Sequence, residues 1–557
     1  MSFASKSGLS GISDQLGDLT HKGGLSSKVI QGKTVSTSLK ASALKSSLLK
    51  TSWSQEQEHI LGLPLDRFCV VALAGCGKTK TGCGFIERHG YKKWNYFTFN
   101  QSMALEVSSQ LPQGVKAMTM HGKVFQYTGV LLAHKLQDLQ QEKTLEKIAS
   151  YLHHKPRPEL SLPYARLVVQ TILHYCWSTS IHLSPEHIPG LMWFDYLRHP
   201  EQEIDLEKLM KDAENLWHHQ TNPHHLAPCS HDHYVKLAQL KHIRFAHPSL
   251  VDEAQDFSPC MLDIIRQQEE PYVLMGDPYQ SLYGFRGACG QFMGMDRVYA
   301  LTGSYRFDEH LASWSNMALK GLGAEWFLKG QASHGGVCQM MPSPSVHETI
   351  LTFTNARSLH HALEAQAKGW SIKWIQKPPI HSMERIQALS SWREHLTQPP
   401  KHVWGFKQYD QYAEWMMNHP VASEEQQEIE CLEKWSGHGT WNQTCILDPV
   451  KSHVSEDENK PWVEIGTVHQ SKGLTRSAVY VDEEVLLGVK KNAYSYAEST
   501  PDSVLTLPVY PKEAWIRTYV ALTRAQHQLS LSPVLFKQLQ QPHQLHVKPQ
   551  SCFEEHP

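Results

Sequence analysis

Ala72-Leu-Ala-Gly-Cys-Gly-Lys-Thr79 follows an apolar run, Phe68 to Leu73, and leads into a helical pattern from Lys78. A continuous apolar run of that length reads as a buried strand. A turn of small residues between a strand and a helix lets backbone N–H groups face inward, and the helix N-terminus adds partial positive charge. The stretch is therefore a candidate phosphate cradle, with Ala74, Gly75, Cys76, Gly77, Lys78, Thr79 and Lys80 as candidate nucleotide ligands. Lys78 is placed to reach the β- and γ-phosphates of ATP, and Thr79 to hold Mg2+. Ala72 stands where the general pattern has glycine, and a ligand-free glycine turn is the bland alternative.

Asp252-Glu-Ala-Gln-Asp256 follows a short strand signal ending at Val251. An acid at the C-terminal end of a strand can bind Mg2+, directly or through water, and a neighbouring carboxylate can activate an attacking water. Asp252 and Glu253 fit those roles, with Asp252 sharing the metal with Thr79. Alone, such an acidic run is more often a solvated helix start. Lying 174 residues beyond Lys78, it reads as the second half of one nucleotide site.

Further strand signals occur at Tyr96–Phe99, Ser249–Val251, Tyr272–Met275, Ile350–Phe353, Ile465–Val468, Ala478–Val481 and Leu529–Leu531. Alternation with helical patterns predicts an α/β chain of parallel sheets with crossover helices. The expected division has a flexible tail over 1–50 and a first domain from 51–123 and 242–297, interrupted by a helical insertion at 124–241. A second domain takes 298–376 and 461–540, with a smaller insertion at 377–460 and a C-terminal tail at 541–557.

Composition narrows the class. Apolar residues make up 41% and charged residues 19% of 557, enough for several cores and unlike a disordered chain. No apolar run approaches the roughly 18 residues of a membrane span, so a soluble protein is expected. The formal charge of −2 gives no global basic field, although a local groove can focus charge in a neutral protein. Eleven scattered cysteines without a CxxC pair indicate reduced thiols and an intracellular setting, cytoplasmic in a prokaryote or virus and nuclear in a eukaryote.

Gly276-Asp-Pro-Tyr-Gln-Ser-Leu-Tyr-Gly-Phe-Arg-Gly-Ala288 decides the family. It resembles motif III of the UvrD/Rep/PcrA helicases of superfamily 1. Other stretches then fall in the family's order. Ser54-Gln55 resembles the Q motif, Thr98-Phe-Asn-Gln-Ser102 motif Ia, Thr119-Met-His-Gly122 motif Ib and Ser304-Tyr-Arg306 motif IV. Thr467-Val-His-Gln-Ser-Lys-Gly-Leu474 resembles motif V, and Tyr519-Val-Ala-Leu-Thr-Arg-Ala525 motif VI. Within the family the chain is most similar to the F-box DNA helicases, through Thr98-Phe-Asn100, His231-Asp-His-Tyr-Val-Lys236 and motif V; no F-box pattern is visible in its first residues.

The resemblance implies two RecA-like P-loop NTPase domains, each with a helical insertion, hydrolysing ATP with Mg2+ in the cleft between them. It implies that Gln55 reads the adenine edge, Tyr305 stacks on the base, Gly473 lines the nucleotide site and Gln280 senses the γ-phosphate. Arg306 and Arg524 become arginine fingers. Phe99, Asn100, Thr119 and His121 on one domain, His469 on the other, and Tyr283, Phe285 and Arg286 near the seam become the DNA track. Aromatic faces stack on bases without reading sequence, at about 1–3 kcal/mol each. The implied partner is single-stranded and partly duplex DNA, with RNA the lesser alternative, no membrane, and movement 3′→5′. A translocase that strips proteins from DNA and an ATP-switched scaffold are the competing readings.

Two features depart from the pattern. Thr475 replaces the glutamate that usually follows KGL, and the 161 positions from Arg306 to Thr467 are few for the family. The histidines at 218, 219, 224, 225, 231 and 233, with Cys229, offer zinc-type donors. Their spacing matches no zinc finger, so a polar or DNA-facing cluster is the expectation.

Overall fold

The structure, a computed structural model, describes residues 52–90, 93–155, 161–189, 205–282, 291–400, 403, 406–418, 423–436, 461–487 and 512–541. Two six-stranded sheets organise the chain from Gln55 onward. The first contains β1 Phe68–Ala72, β2 Asn95–Thr98, β3 Lys116–Thr119, β4 Ser249–Asp252, β5 Tyr272–Gly276 and β6 Val298–Leu301. Their order is β3-β2-β4-β5-β1-β6, and every pairing is parallel. β1, β4 and β5 are buried along their whole length, as central strands of a parallel sheet must be, which is why β1 and β5 read as continuous apolar runs.

β6 corrects the expected first-domain boundary at 297. Cys69 to Ala72 pair with Val298 to Leu301, so the first sheet ends only at Leu301. Three of the strand's four residues, Val298-Tyr-Ala-Leu301, are half-buried at the sheet edge, and it is their pairing with β1 that assigns this short apolar run to the first sheet.

After the two-stranded pair β7 Gly303–Ser304 and β8 Lys329–Gly330, the second sheet uses β9 Val337–Met340, β10 Thr349–Thr352, β11 Ser371–Trp374, β12 Trp462–Thr467, β13 Arg476–Val481 and β14 Ala525–Leu531. Its order is β11-β12-β10-β13-β14-β9, again parallel throughout. The two cores meet. Val71, Leu73, Ala74 and Leu282 of the first domain share one apolar cluster with Phe307, Val468, Tyr519 and Leu522 of the second.

Between β3 and β4, helices Glu142–Tyr151, Ser161–Trp177, Leu206–Thr221 and His231–Leu240 pack around Leu145, Ile148, Val168, Ile172 and Leu216. Buried lysines cap helix ends here. Lys135 Nζ donates to the carbonyls of His219, Asn222 and His225 at 2.6–3.0 Å, and Lys236 Nζ to those of Ser178 and Ser180. The carbonyl ends of helices are natural partners for cations. Three of the histidines of this region pack within the fold: His219 and His225 stack at 4.0 Å, and His233 packs on Trp217 and pairs with Gln220 at 2.9 Å. Among the described residues no three His, Cys, Asp or Glu side chains form a metal-holding group.

Between β11 and β12 the described helices are Ile380–Arg393, Tyr409–Asn418 and Ser423–Ser436. They form no separate body. Met383, Ile386, Leu389, Tyr412 and Leu432 share one core with Ile350, Ile372, Val463 and Ile465 of the sheet, so this segment is the crossover joining two neighbouring strands. No helix among the described residues is long and apolar enough to cross a membrane.

Helix Glu309–Gly321 approaches helix Lys512–Leu522 so closely that a Cβ on Gly321 would lie 2.4 Å from the Trp515 ring. Alanine in a helix ordinarily gains about 0.5–1 kcal/mol over glycine, but overpacking a rigid neighbour costs about 1–3 kcal/mol. With Trp515 buried, the clash prevails. Gly321→Ala should lower stability by about 1–3 kcal/mol in a denaturant titration.

Candidate active site

The site lies where the C-terminal ends of β1, β4 and β5 meet the second domain, the crevice that open α/β sheets use for ligands. Gly75 and Gly77 sit at φ +75° and +76°, a left-handed region that only glycine enters freely. Gly75 is needed for a second reason: a Cβ there would stand 2.5 Å from Ser304 Oγ and 2.8 Å from Arg306 Cβ. The loop and the 304–306 segment are thus pressed together, with Tyr305 N donating to Gly75 O at 2.9 Å.

Helix Lys78–Arg88 starts directly behind the loop and delivers two candidate ligands, Lys78 and Thr79. Thr79 Oγ1 donates to Asp252 Oδ2 at 2.9 Å, so hydroxyl and carboxylate sit side by side as a shared divalent cation requires. Tyr96 Oη donates to the same oxygen at 2.9 Å. Lys78 Nζ lies 2.5 Å from Glu253 Oε2 and 3.6 Å from Asp252 Oδ1. Burial works against the Lys78 charge, but Glu253 and Asp252 outweigh it and hold the amine above its ordinary range. Burial likewise works against the charge of Glu253, yet Lys78 and Lys472 keep it ionised. Asp252, buried deepest, is pushed up by desolvation.

Glu253 holds φ 58°, a left-handed conformation rare for a branched carboxylate side chain and costly enough to need support. Gln255 supplies it, donating from Nε2 to Glu253 Oε2 at 2.6 Å while Oε1 accepts from Asp277 N at 3.0 Å. Gly276 makes room: a Cβ there would meet Gln255 Oε1 at 2.4 Å.

The opposite wall carries the arginines. Arg524, 2% exposed, donates from Nη2 to Gln280 Oε1 at 3.2 Å, and Arg306 donates from Nη1 to Thr523 O at 2.8 Å. Burial and the neighbouring Arg306 guanidinium push Arg524 down to about 9. Lys472 crosses the cleft as well, with Nζ 2.6 Å from both Asp256 oxygens and 2.7 Å from Gln280 O. Tyr519 Oη accepts from Ala74 N at 3.1 Å and donates to Asp277 Oδ2 at 3.0 Å. Sequence reasoning quoted Lys472, Asp277 and Tyr519 inside motifs without giving them a role. Their signal was present only as motif membership.

A cavity of about 680 Å³ is lined by the loop from Ala72 to Lys80, Glu253, Asp256, Gln280, Tyr305, Arg306, Lys472, Gly473, Thr475 and Arg524. Tyr305 is 48% exposed at its edge, a face open to a planar group. Gln55 does not belong to this set. It is exposed at the first turn of helix Gln55–Leu61, whereas Gln57, 2% exposed, donates to Cys76 O at 3.3 Å. Residues two apart on a helix point to different faces, so only one of the pair can meet the loop.

Five of the expected nucleic-acid residues lie among the described residues. Phe99 and Asn100 line the same cavity as the phosphate loop, and the Asn100 side chain caps helix Gln101–Ser108 through Met103 N at 2.9 Å. Thr119 caps the next short helix through Gly122 N, and His121 faces Asp232 at 3.4 Å. Burial, with Arg517 nearby, pushes His469 down to about 4, leaving it neutral at physiological pH. Tyr283, Phe285 and Arg286 lie outside the described residues.

Fold and site together define a P-loop NTPase: two parallel α/β domains with a phosphate loop on one and two guanidiniums presented by the other. Within that class, residues 131–296 match the UvrD/REP helicase N-terminal domain, a stretch that includes Asp252, Glu253 and Gln280. The chain is similar to F-box DNA helicase 1 of Gallus gallus, 24% identical over 551 residues covering 91% of this chain and 52% of that one. It is also similar to F-box DNA helicase protein 1 of Schizosaccharomyces pombe, 28% identical over 517 residues covering 84% of this chain and 56% of that one. These similarities support a UvrD-like helicase of superfamily 1. It spans about half the length of the relatives it matches.

Gln57→Ala should weaken nucleotide affinity up to about tenfold, the value of one hydrogen bond to the loop, and Gln55→Ala should do less. Fluorescent-nucleotide titration of both variants checks the assignment. A second prediction concerns pH. Burial pushes the Asp277 carboxyl up to about 6. A raised carboxyl contributes stability that is complete below about pH 4 and lost as pH rises through 6. Asp277→Asn does not titrate, so its stability relative to the unsubstituted protein should climb by up to about 3 kcal/mol from pH 4 to pH 7, read from urea midpoints.

Proposed function

We propose that the chain is an ATP-dependent DNA helicase or translocase that moves along single-stranded DNA, 3′→5′ as the family resemblance implies, and unwinds duplex in repair, recombination or replication. The observation that carries this reading is the convergence on one cavity of Lys78 and Glu253 from the first domain with Arg306 and Arg524 from the second. Phosphoryl transfer needs cations around the transferring group and a base on the attacking water. The similarity to two DNA helicases supports DNA as the substrate. They also favour a nuclear setting, if the host is a eukaryote.

The cradle fits a nucleotide and a divalent cation, since Gly75 and Gly77 line it without side chains and Thr79 and Asp252 already adjoin. Mg2+, when bound, neutralises phosphate charge. The loop N–H groups and Lys78 bind the phosphates of ATP, for which Lys78 must exchange its Glu253 partner. Glu253, ionised and released, accepts the proton of the attacking water. Gln280 positions that water or the γ-phosphate, and Arg306 and Arg524 stabilise the charge that develops. Tyr305 stacks on the base and Gly473 lines its far side. Because the guanidiniums belong to the second domain, hydrolysis depends on closure, which makes each turnover a mechanical step. Asn100, Thr119 and His121, with His469 and the 283–286 segment, would face DNA. An ATP-driven stripping of proteins from DNA uses the same chemistry, and its distinguishing outcome is ATPase and protein displacement without strand separation.

The test compares ATPase rates with single-stranded DNA, duplex DNA and RNA, beside strand displacement. Single-stranded DNA should stimulate most. Lys78→Ala should abolish hydrolysis, and Glu253→Gln should bind ATP without turning it over. Arg306→Ala and Arg524→Ala should each lose on the order of 10³-fold in rate, as arginine fingers do. Unchanged turnover in Glu253→Gln would overturn the assignment of the base.

A further inference from the structure

Tyr519 sits on helix Lys512–Leu522 of the second domain with its ring fully buried in the shared apolar cluster. Its one polar atom faces the first domain. That oxygen accepts from the loop amide of Ala74 at 3.1 Å and donates to Asp277 Oδ2 at 3.0 Å. The same Asp277 oxygen accepts from Gln280 Nε2 at 2.6 Å, and Gln280 Oε1 accepts from Arg524 Nη2 at 3.2 Å. A side-chain amide has a donor end and an acceptor end. Asp277 claims the donor end, so the acceptor end must face the guanidinium; a flipped amide would set donor against donor.

We infer that Tyr519 is a positioning residue of the ATPase reaction, whose phenol oxygen ties the phosphate loop to Arg524 through Asp277 and Gln280. The inference rests on the ATPase reading and goes beyond it. A chain of four hydrogen bonds that starts on the loop and ends on an arginine aligns the guanidinium only when the loop amide and the second-domain helix are in register. Closure and arginine alignment thereby become one event. Buried chains of this kind are worth more than their separate links, because each member fixes the next. Burial supports the arrangement too, holding the phenol well above its usual range and therefore as a donor at all working pH values.

Tyr519→Phe removes the oxygen and keeps the ring. With DNA-stimulated ATPase as the readout, kcat should fall about ten- to a hundredfold, the effect of misaligning a charge-assisted hydrogen bond. KM for ATP should stay within about threefold, since no phosphate contact is lost. The melting temperature should remain near that of the unsubstituted protein. Gln280→Ala breaks the chain at its other end without touching the core, and the double variant should be no slower than the slower single one, because both act on one chain. Additive losses, or a Tyr519→Phe kcat equal to that of the unsubstituted protein, overturn the inference. Equal falls in kcat and melting temperature, with Gln280→Ala unaffected, reduce Tyr519 to packing and overturn it as well. If the unsubstituted protein hydrolyses no ATP, or Lys78→Ala hydrolyses it normally, the ATPase reading falls and this inference with it. If those two controls behave as expected, failure of Tyr519→Phe counts against the inference alone.

Discussion

Two guanidiniums, Arg306 and Arg524, are held next to each other in a buried cleft, and burial lowers the affinity of each for its proton. Like charges withdrawn from water repel strongly, and only anions or fixed acceptor dipoles can offset the cost. Here the acceptors are mainly carbonyl oxygens, those of Thr523, Leu474 and Val520 and the amide oxygen of Gln280. The carboxylates stand across the cavity with Lys78 and Lys472. The site is thus short of negative charge on one wall, which is the electrostatic complement of a polyphosphate. The glycine loop, the left-handed Glu253 and the apolar seam joining the two cores all serve to keep the walls at this separation.

Lys78 and Glu253 form an ion pair inside the cavity. The two groups that nucleotide chemistry needs apart neutralise each other at 2.5 Å. A buried pair of this kind costs desolvation on both members and recovers it only while paired. Whatever takes Lys78 must therefore carry enough charge to free Glu253, which favours a triphosphate over a weaker anion.

Much of this was legible in the chain. The phosphate loop, the acidic pair after β4, and the two arginines were readable because each sits in a short stretch with fixed spacing and fixed chemistry. The central strands were readable because burial on both faces makes them continuous apolar runs. What escaped followed from three-dimensional facts that spacing does not encode. β6 is a short apolar edge strand whose membership of the first sheet is set by its pairing with β1. Gln57 rather than Gln55 meets the loop because helix phase decides it. The described helices between β11 and β12, polar and strand-poor in sequence, proved to share the core of the sheet they connect. Lys472 and Tyr519 act across the cleft, and no local pattern reveals a partner more than 190 positions away.

The chain passes from β6 of the first sheet into Thr302 and Gly303, and reaches Arg306 of the cleft three residues later. Glu56 clasps this passage, accepting from Thr302 N and Oγ1 at 2.7 and 2.6 Å and from Gly303 N at 3.3 Å. The covalent pivot between the domains therefore stands beside the phosphate loop itself. For any rotation about a pivot, displacement grows with distance from it. A rotation that shifts the arginines by a fraction of an ångström carries the far rim of the second sheet several times further. The geometry works as a lever with its short arm in the cleft: chemistry demands close tolerance and receives small travel, while the distant surface receives the stroke.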